Sequence, residues 1–229
     1  MRYLLLVVLC CLVAGSALAD KPAYENQAIS RQSCNLLVTT YDWDFALSDN
    51  GFTMTSCDDD GAAVWEYGTT SYVAGAPGTV WGTILEGDYL TDAGQALVSP
   101  SFLVDELSTL MEVQHYFAIE NLWDGGNVTV NGQVISPLSG YPGSVNIPGD
   151  WYAWCVDSEL AFTGASGAWV TSCFDLSAFL GQTIQVSFEF GSDDTYTDAG
   201  WYLASVKVGT NEITPAEAKS WSGIKSLYR

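Results

Sequence analysis

The chain has 229 residues, with 27 Asp and Glu against 7 Lys and Arg and a formal net charge of −20. The cations are Arg2, Lys21, Arg31, Lys207, Lys219, Lys225 and Arg229, so the body from Gln32 to Val206 contains neither Lys nor Arg. Such a body repels nucleic acid, polyphosphate and anionic lipid, and it lacks the residue types for Schiff-base chemistry or arginine clamps on oxyanions.

A core can nevertheless be built, because 48% of residues are hydrophobic and 13% aromatic, with nine Trp and twelve Tyr. Met1-Arg2, the apolar run Tyr3 to Ala14 and the small-x-small site Ala17-Leu18-Ala19 read as an export signal over 1–19. That run is shorter than the ~18 residues a membrane span requires, so no span is expected once the signal is cleaved. Residues 20–34 are a polar leader, 35–209 form the body, and 210–229 are a basic tail in which Trp221, Ile224 and Tyr228 would share one helical face.

In an exported chain Cys34, Cys57, Cys155 and Cys173 are expected to form disulfides. Cys34–Cys57 with Cys155–Cys173 is the favoured pairing, because each pair flanks one strand-and-turn unit; loops of that size contribute about 3 kcal/mol each on chain-entropy grounds. Zinc is not expected, since no CxxC or CxxH spacing occurs and His115 is the sole histidine.

The body is a succession of short β-prone runs separated by Gly, Asn, Asp and Pro. Asp42 and Asp44, two apart, point to one side of an early strand. Val113, His115, Phe117 and Ile119 alternate with polar neighbours, as do Ile184, Val186, Phe188 and Phe190. Between them Val128-Thr129-Val130, Asn131-Gly132 and Gln133-Val134-Ile135 predict a hairpin with a type I′ turn. No helical pattern stands out, so an all-β sandwich of about ten strands is expected.

A Ser-His-Asp triad would have to use His115, which reads as a hydrogen-bonded sandwich residue; Gly164-Ala165-Ser166-Gly167-Ala168 misses the nucleophile-elbow pattern at its fifth position. Paired carboxylates (Asp42/Asp44, Asp58-Asp59-Asp60, Glu120/Asp124, Asp193-Asp194) leave a polysaccharide hydrolase open as an alternative. Calcium is a more economical use of acids among Gly-rich turns with no internal cation, against a plain solvated acidic face. Asp42 and Asp44 are its first candidate ligands, with Glu120 and Asp124 as another set. Among the aromatics, Trp151, Tyr152 and Trp154 follow the loop Pro148-Gly149-Asp150 and are the candidate platform for a sugar or protein ligand.

Read in order, Tyr41-Asp42-Trp43-Asp44-Phe45, Asp49-Asn50-Gly51-Phe52, Trp65-Glu66-Tyr67-Gly68, Leu97-Val98-Ser99-Pro100, Asp124-Gly125-Gly126, Ala161-Phe162-Thr163-Gly164, Phe174-Asp175-Leu176-Ser177, Gly191-Ser192-Asp193 and Gly200-Trp201-Tyr202-Leu203 form a familiar series. It resembles the MAM-like jelly-roll modules of bacterial immune-inhibitor-A-type metallopeptidases and other secreted proteins, over about residues 41 to 208. The resemblance implies a two-sheet, concanavalin-like jelly roll that is not itself catalytic. It also implies a structural cation in some relatives, between first-strand acids, matched by Asp42 and Asp44, and an acid of the last strand. Ala204-Ser205 stands where that last-strand acid is common, and no HExxH occurs. The expectation is a Sec-exported bacterial module that binds a glycan or an extracellular protein; a structural component of an extracellular layer is a further alternative.

Overall fold

The computed structural model describes residues 34–56, 64–145, 155–156 and 158–212. Cys57, the segment bearing Trp151, Tyr152 and Trp154, the export signal and the basic tail beyond residue 212 lie outside them.

Sixteen strands, numbered in chain order, and one 3-10 turn at Ser177–Phe179 make up the regular structure of the described residues. The first sheet runs β12 (Gly164–Ala165), β7 (Leu110–Ile119), β16 (Gly200–Thr210), β4 (Thr79–Thr83), β3 (Trp65–Thr69), with β1 (Val38–Asp44) on β16 and β13 (Val170–Asp175) on β7. The second runs β2 (Thr53–Ser56), β5 (Gly94–Val98), β15 (Val186–Gly191), β8 (Gly125–Val130), β9 (Gln133–Ile135). Two short pairs, β6 (Phe102–Leu103) with β14 (Thr183–Ile184) and β10 (Gly143–Ser144) with β11 (Leu160–Ala161), complete it. The result is a two-sheet jelly-roll β-sandwich. It has more strands than expected because long β-prone runs split, as at Gln185 between β14 and β15.

The period-2 runs form as their alternation dictates. Val113, His115, Phe117 and Ile119 on β7 and Val186, Phe188 and Phe190 on β15 are all buried between the sheets. The Asn131-Gly132 turn joins β8 to β9 with φ of 54° and 75°, the positive pair that a type I′ hairpin needs. Trp201 is the centre of the core: fully buried, it lies 5.6 to 5.9 Å, centroid to centroid, from Phe162, Trp65 and Phe188. Its ring lies flat over Gly126 of the facing sheet, where any Cβ would collide with it. Trp65, Trp81, Trp201 and Tyr202 are core residues rather than sugar platforms.

The disulfide pairing differs from expectation. Cys34 bonds Cys173, 139 residues away, and Cys155 is also disulfide-bonded, so neither Cys34–Cys57 nor Cys155–Cys173 forms. The reason is topological. Cys34 enters the first sheet beside Met111 and Glu112, and Cys173 of β13 stands opposite Glu112 of β7. A loop of that length contributes about 5 kcal/mol on chain-entropy grounds, more than the short loops expected.

Among the described residues the body has one ion pair: Lys207, near the end of the body, lies inside β16, and its Nζ is 3.8 Å from Asp42 Oδ2, across the β1–β16 pairing.

Candidate functional site

At the end of β7 the chain leaves the sheet at Glu120, turns through Leu122 at a φ of 72° and re-enters at Asp124 before β8. Thr163 holds this turn: its Oγ1 accepts from the Leu122 N–H and donates to the Glu120 carbonyl. The turn presents Asp124 inward, fully buried.

Both oxygens of Asp124 are engaged. Oδ2 accepts from the Tyr89 hydroxyl at 2.6 Å and Oδ1 from the Asp193 N–H at 2.7 Å. The Tyr89 hydroxyl in turn accepts from the Glu120 N–H at 3.0 Å, and its ring packs edge-on against Phe190. Asp193 follows β15 and accepts from the N–H and hydroxyl of Thr195 through Oδ1. The loop before β5 closes the arrangement, with the Asp92 N–H donating to the Asp193 carbonyl and Ser192 bridging Ala93 and Leu90.

Glu120, Asp124 and Asp193 thus offer three carboxylate oxygens within 4.8 Å of one another, with Asp193 buried and Glu120 half-buried. Burial pushes the Asp124 carboxyl up to about 8; the Tyr89 and Asp193 hydrogen bonds pull it down, and the Asp193 and Glu120 charges push it up again. Burial and the adjacent Asp124 carboxylate raise the Tyr89 phenol as well, so it stays a donor. Three crowded carboxyls, with no Lys or Arg of the described residues beside them, can be relieved by a proton on Asp124 or by a hard divalent cation among them. The donor set, carboxylate oxygen without nitrogen or sulfur, fits calcium.

Two of the four expected metal ligands, Glu120 and Asp124, therefore share a cluster, and Asp193 joins them. Asp42 and Asp44 do not. Asp42 shares a row with Lys207 and Glu112, and Glu112 is eight residues down β7 from Glu120, about 26 Å at strand spacing. Asp42 is exposed and paired with Lys207, while Asp44 Oδ1 accepts from the Ala46 N–H in the turn after β1. Asp193 stands in the sequence as half of an acidic pair, but its 69-residue separation from Asp124 leaves no local signal linking them.

The one histidine is not a catalytic base. His115 is fully buried; Nδ1 accepts from the Trp201 indole N–H at 3.1 Å, which places the proton on Nε2, 2.9 Å from Ser172 Oγ. Ser166, the residue at the nucleophile position of the near-elbow motif, exchanges hydrogen bonds with the Phe117 backbone.

No protein-family model matches the chain. It is 25% identical over 189 residues to Bacillopeptidase F of Bacillus subtilis (strain 168), covering 81% of this chain and 12% of that protein. It is 30% identical over 95 residues to the pre-pro-metalloprotease PrtV of Vibrio cholerae serotype O1 (strain M66-2), covering 41% of this chain and 9% of that protein. The chain thus spans a small fraction of the length of the bacterial peptidases it matches. Among solved structures, the K2 cleaved adhesin domain of Lys-gingipain aligns with a TM-score of 0.43 at 13% identity, over 73% of this chain and 96% of that one. The K1 cleaved adhesin domain from Porphyromonas gingivalis W83 aligns with a TM-score of 0.42 at 16% identity, over 76% and 100%. Among the described residues no helix is long and apolar enough to cross a membrane.

Proposed function

We propose that the chain is an exported, non-catalytic jelly-roll module that binds a glycan or an extracellular protein, with a calcium ion at Glu120, Asp124 and Asp193 fastening one end of the sandwich. The observation that carries the non-catalytic reading is the placement of His115, whose two nitrogens are committed inside the core, out of reach of any substrate. The similarity to short stretches of much longer bacterial peptidases supports a module that works beside other domains, as does the resemblance to MAM-like modules. The export signal read in residues 1–19 supports an extracellular location. Trp151, Tyr152 and Trp154 remain the proposed ligand contacts, since flat rings with a polar edge suit both sugars and protein surfaces.

Glycan arrays and calorimetric titration of the mature chain test the binding role. A glycan hit weakened at least tenfold by Trp151→Ala with Trp154→Ala is the expected outcome, or an unaltered fold with the same loss toward a protein ligand. Turnover of a polysaccharide, abolished by Glu120→Gln, would replace this reading with hydrolysis. For the ion, the melting temperature is expected to be higher in Ca²⁺ than in EDTA, with the difference reduced by Glu120→Gln and kept by Asp42→Asn. Identical melting in the two buffers would eliminate the site.

A further inference from the structure

A second group of oxygens gathers on the opposite face of the second sheet. Val128, Val130, Phe188 and Phe190 fill the core, so strand alternation turns Asn127, Thr129 and Glu189 outward. Asn127 stands directly across from Glu189, and Thr129 across from Ser187. This outer face is covered by the chain around β10 and β11. A Cβ on Gly125 would meet Val145 at 2.6 Å and Ala161 at 2.8 Å, and Val145, Val156 and Ala161 form a small apolar cluster with Cys155. The backbone bond from Val145 N–H to the Glu159 carbonyl holds Glu159 in the cover, over Asn127.

The polar groups there are half satisfied. Asn127 Nδ2 donates to Glu159 Oε2 at 2.5 Å, and Thr129 Oγ1 donates to Glu189 Oε1 at 2.7 Å; among the described residues the second oxygen of each carboxylate has no donor. Asn127 is fully buried, yet among the described residues its Oδ1 finds no hydrogen-bond donor. A buried amide oxygen without a donor is costly, and here it sits on the same carboxamide that touches a carboxylate. The two carboxylates are near enough for the charge of Glu159 to act on Glu189. The described residues bring no counter-charge there: Lys207, the sole Lys or Arg among them, lies in the other sheet beside Asp42.

We infer that Glu159 and Glu189, with the side-chain carbonyl of Asn127, form a second divalent-cation site of calcium's hard-oxygen chemistry. An ion supplies the electron acceptor that Asn127 Oδ1 lacks and offsets both carboxylates at once. The burial of Asn127 and Thr129 favours a bare ion over a sugar or a peptide, because neither of the larger ligands reaches the amide oxygen without lifting the cover. Two carboxylates and one amide oxygen are a partial calcium shell that water completes. The ion joins β8, β15 and the covering segment, and so fastens Val145 and Cys155, the described residues on either side of the stretch that carries Trp151, Tyr152 and Trp154 in sequence.

Calcium titration of the mature, disulfide-intact chain by calorimetry after dialysis against EDTA tests this, and it separates the site from the one at Glu120. The wild type is expected to take up two ions. Glu159→Gln and Glu189→Gln, each folded by circular dichroism, are expected to weaken uptake of one of them at least tenfold, and Glu120→Gln the other. Should Glu159→Gln fail to fold, Glu189→Gln alone decides. If the wild type takes one ion, its loss in Glu189→Gln upholds this site and removes the Glu120 site, and its loss in Glu120→Gln does the reverse. Wild-type stoichiometry and affinity in Glu189→Gln, or no uptake by the wild type, overturns the inference.

Discussion

On β1, Asp42 and Asp44 meet their partners at the surface, Lys207 for one and a turn N–H for the other. Beyond the far end of β7, Asp124 and Asp193 are shut away from water and depend on each other, on Tyr89 and on Thr195. The residue types are the same, and what separates the two regions is solvation. Water already stabilises an exposed carboxylate, so its protein partners add little. A buried one has only its protein partners, so each becomes structurally decisive.

The largest effect expected from this contrast is at Asp124. Asp124→Ala strands the Tyr89 hydroxyl and the Asp193 N–H in the interior, and two buried donors without acceptors cost about 3 kcal/mol. Chemical denaturation should show that loss; one as small as that of Asp44→Ala would break the comparison.

Next comes acidification, which acts on the buried region through His115. Complete burial pushes its imidazole down to about 3 from an ordinary 6.5. The unfolded chain takes up a proton below pH 6.5 and the folded chain does not, so this contribution is complete above pH 6.5 and is lost as pH falls toward 3. At pH 5 the loss is about 2 kcal/mol. Because the chain has one histidine, a single imidazole resonance reports it. No titration between pH 7 and 4.5 is expected while the protein stays folded, and a midpoint near 6.5 would place His115 in water.

The smallest effect is at the exposed end. Asp42→Asn removes a half-exposed ion pair and should change stability by about 0.5 kcal/mol or less, and less again in high salt. A loss above about 1 kcal/mol would mean that the surface acids are coupled to something deeper.

Much of the sandwich was legible because its signals are local. The alternations around His115 and Phe188 and the Asn131-Gly132 turn each lie within a few residues, and they formed as read, save that the second run breaks at Gln185. The candidate site was legible in half. Glu120 and Asp124 are four apart on one turn, so their proximity is a property of the sequence. Asp193 reaches them only because β15 pairs with β8 and ends at the same edge of the sheet. Asp42 and Asp44 showed why spacing alone is insufficient: two acids on one side of a strand suit a cation, but this strand lies along β16 and meets Lys207 instead. The disulfides failed for the same reason. Proximity in sequence favoured short loops, whereas Cys34 and Cys173 are joined by the order of strands β1, β16, β7 and β13.

By itself the sequence determined the class of the fold, the location of its turns and the want of cations in its body, because periodicity, turn chemistry and composition are carried by neighbouring residues. The tertiary structure decided which acids are buried together, which cysteines bond, and which partners, Trp201 and Ser172, hold the lone histidine. Those outcomes depend on strand order and depth from solvent, which arise only when segments far apart in the chain are laid side by side.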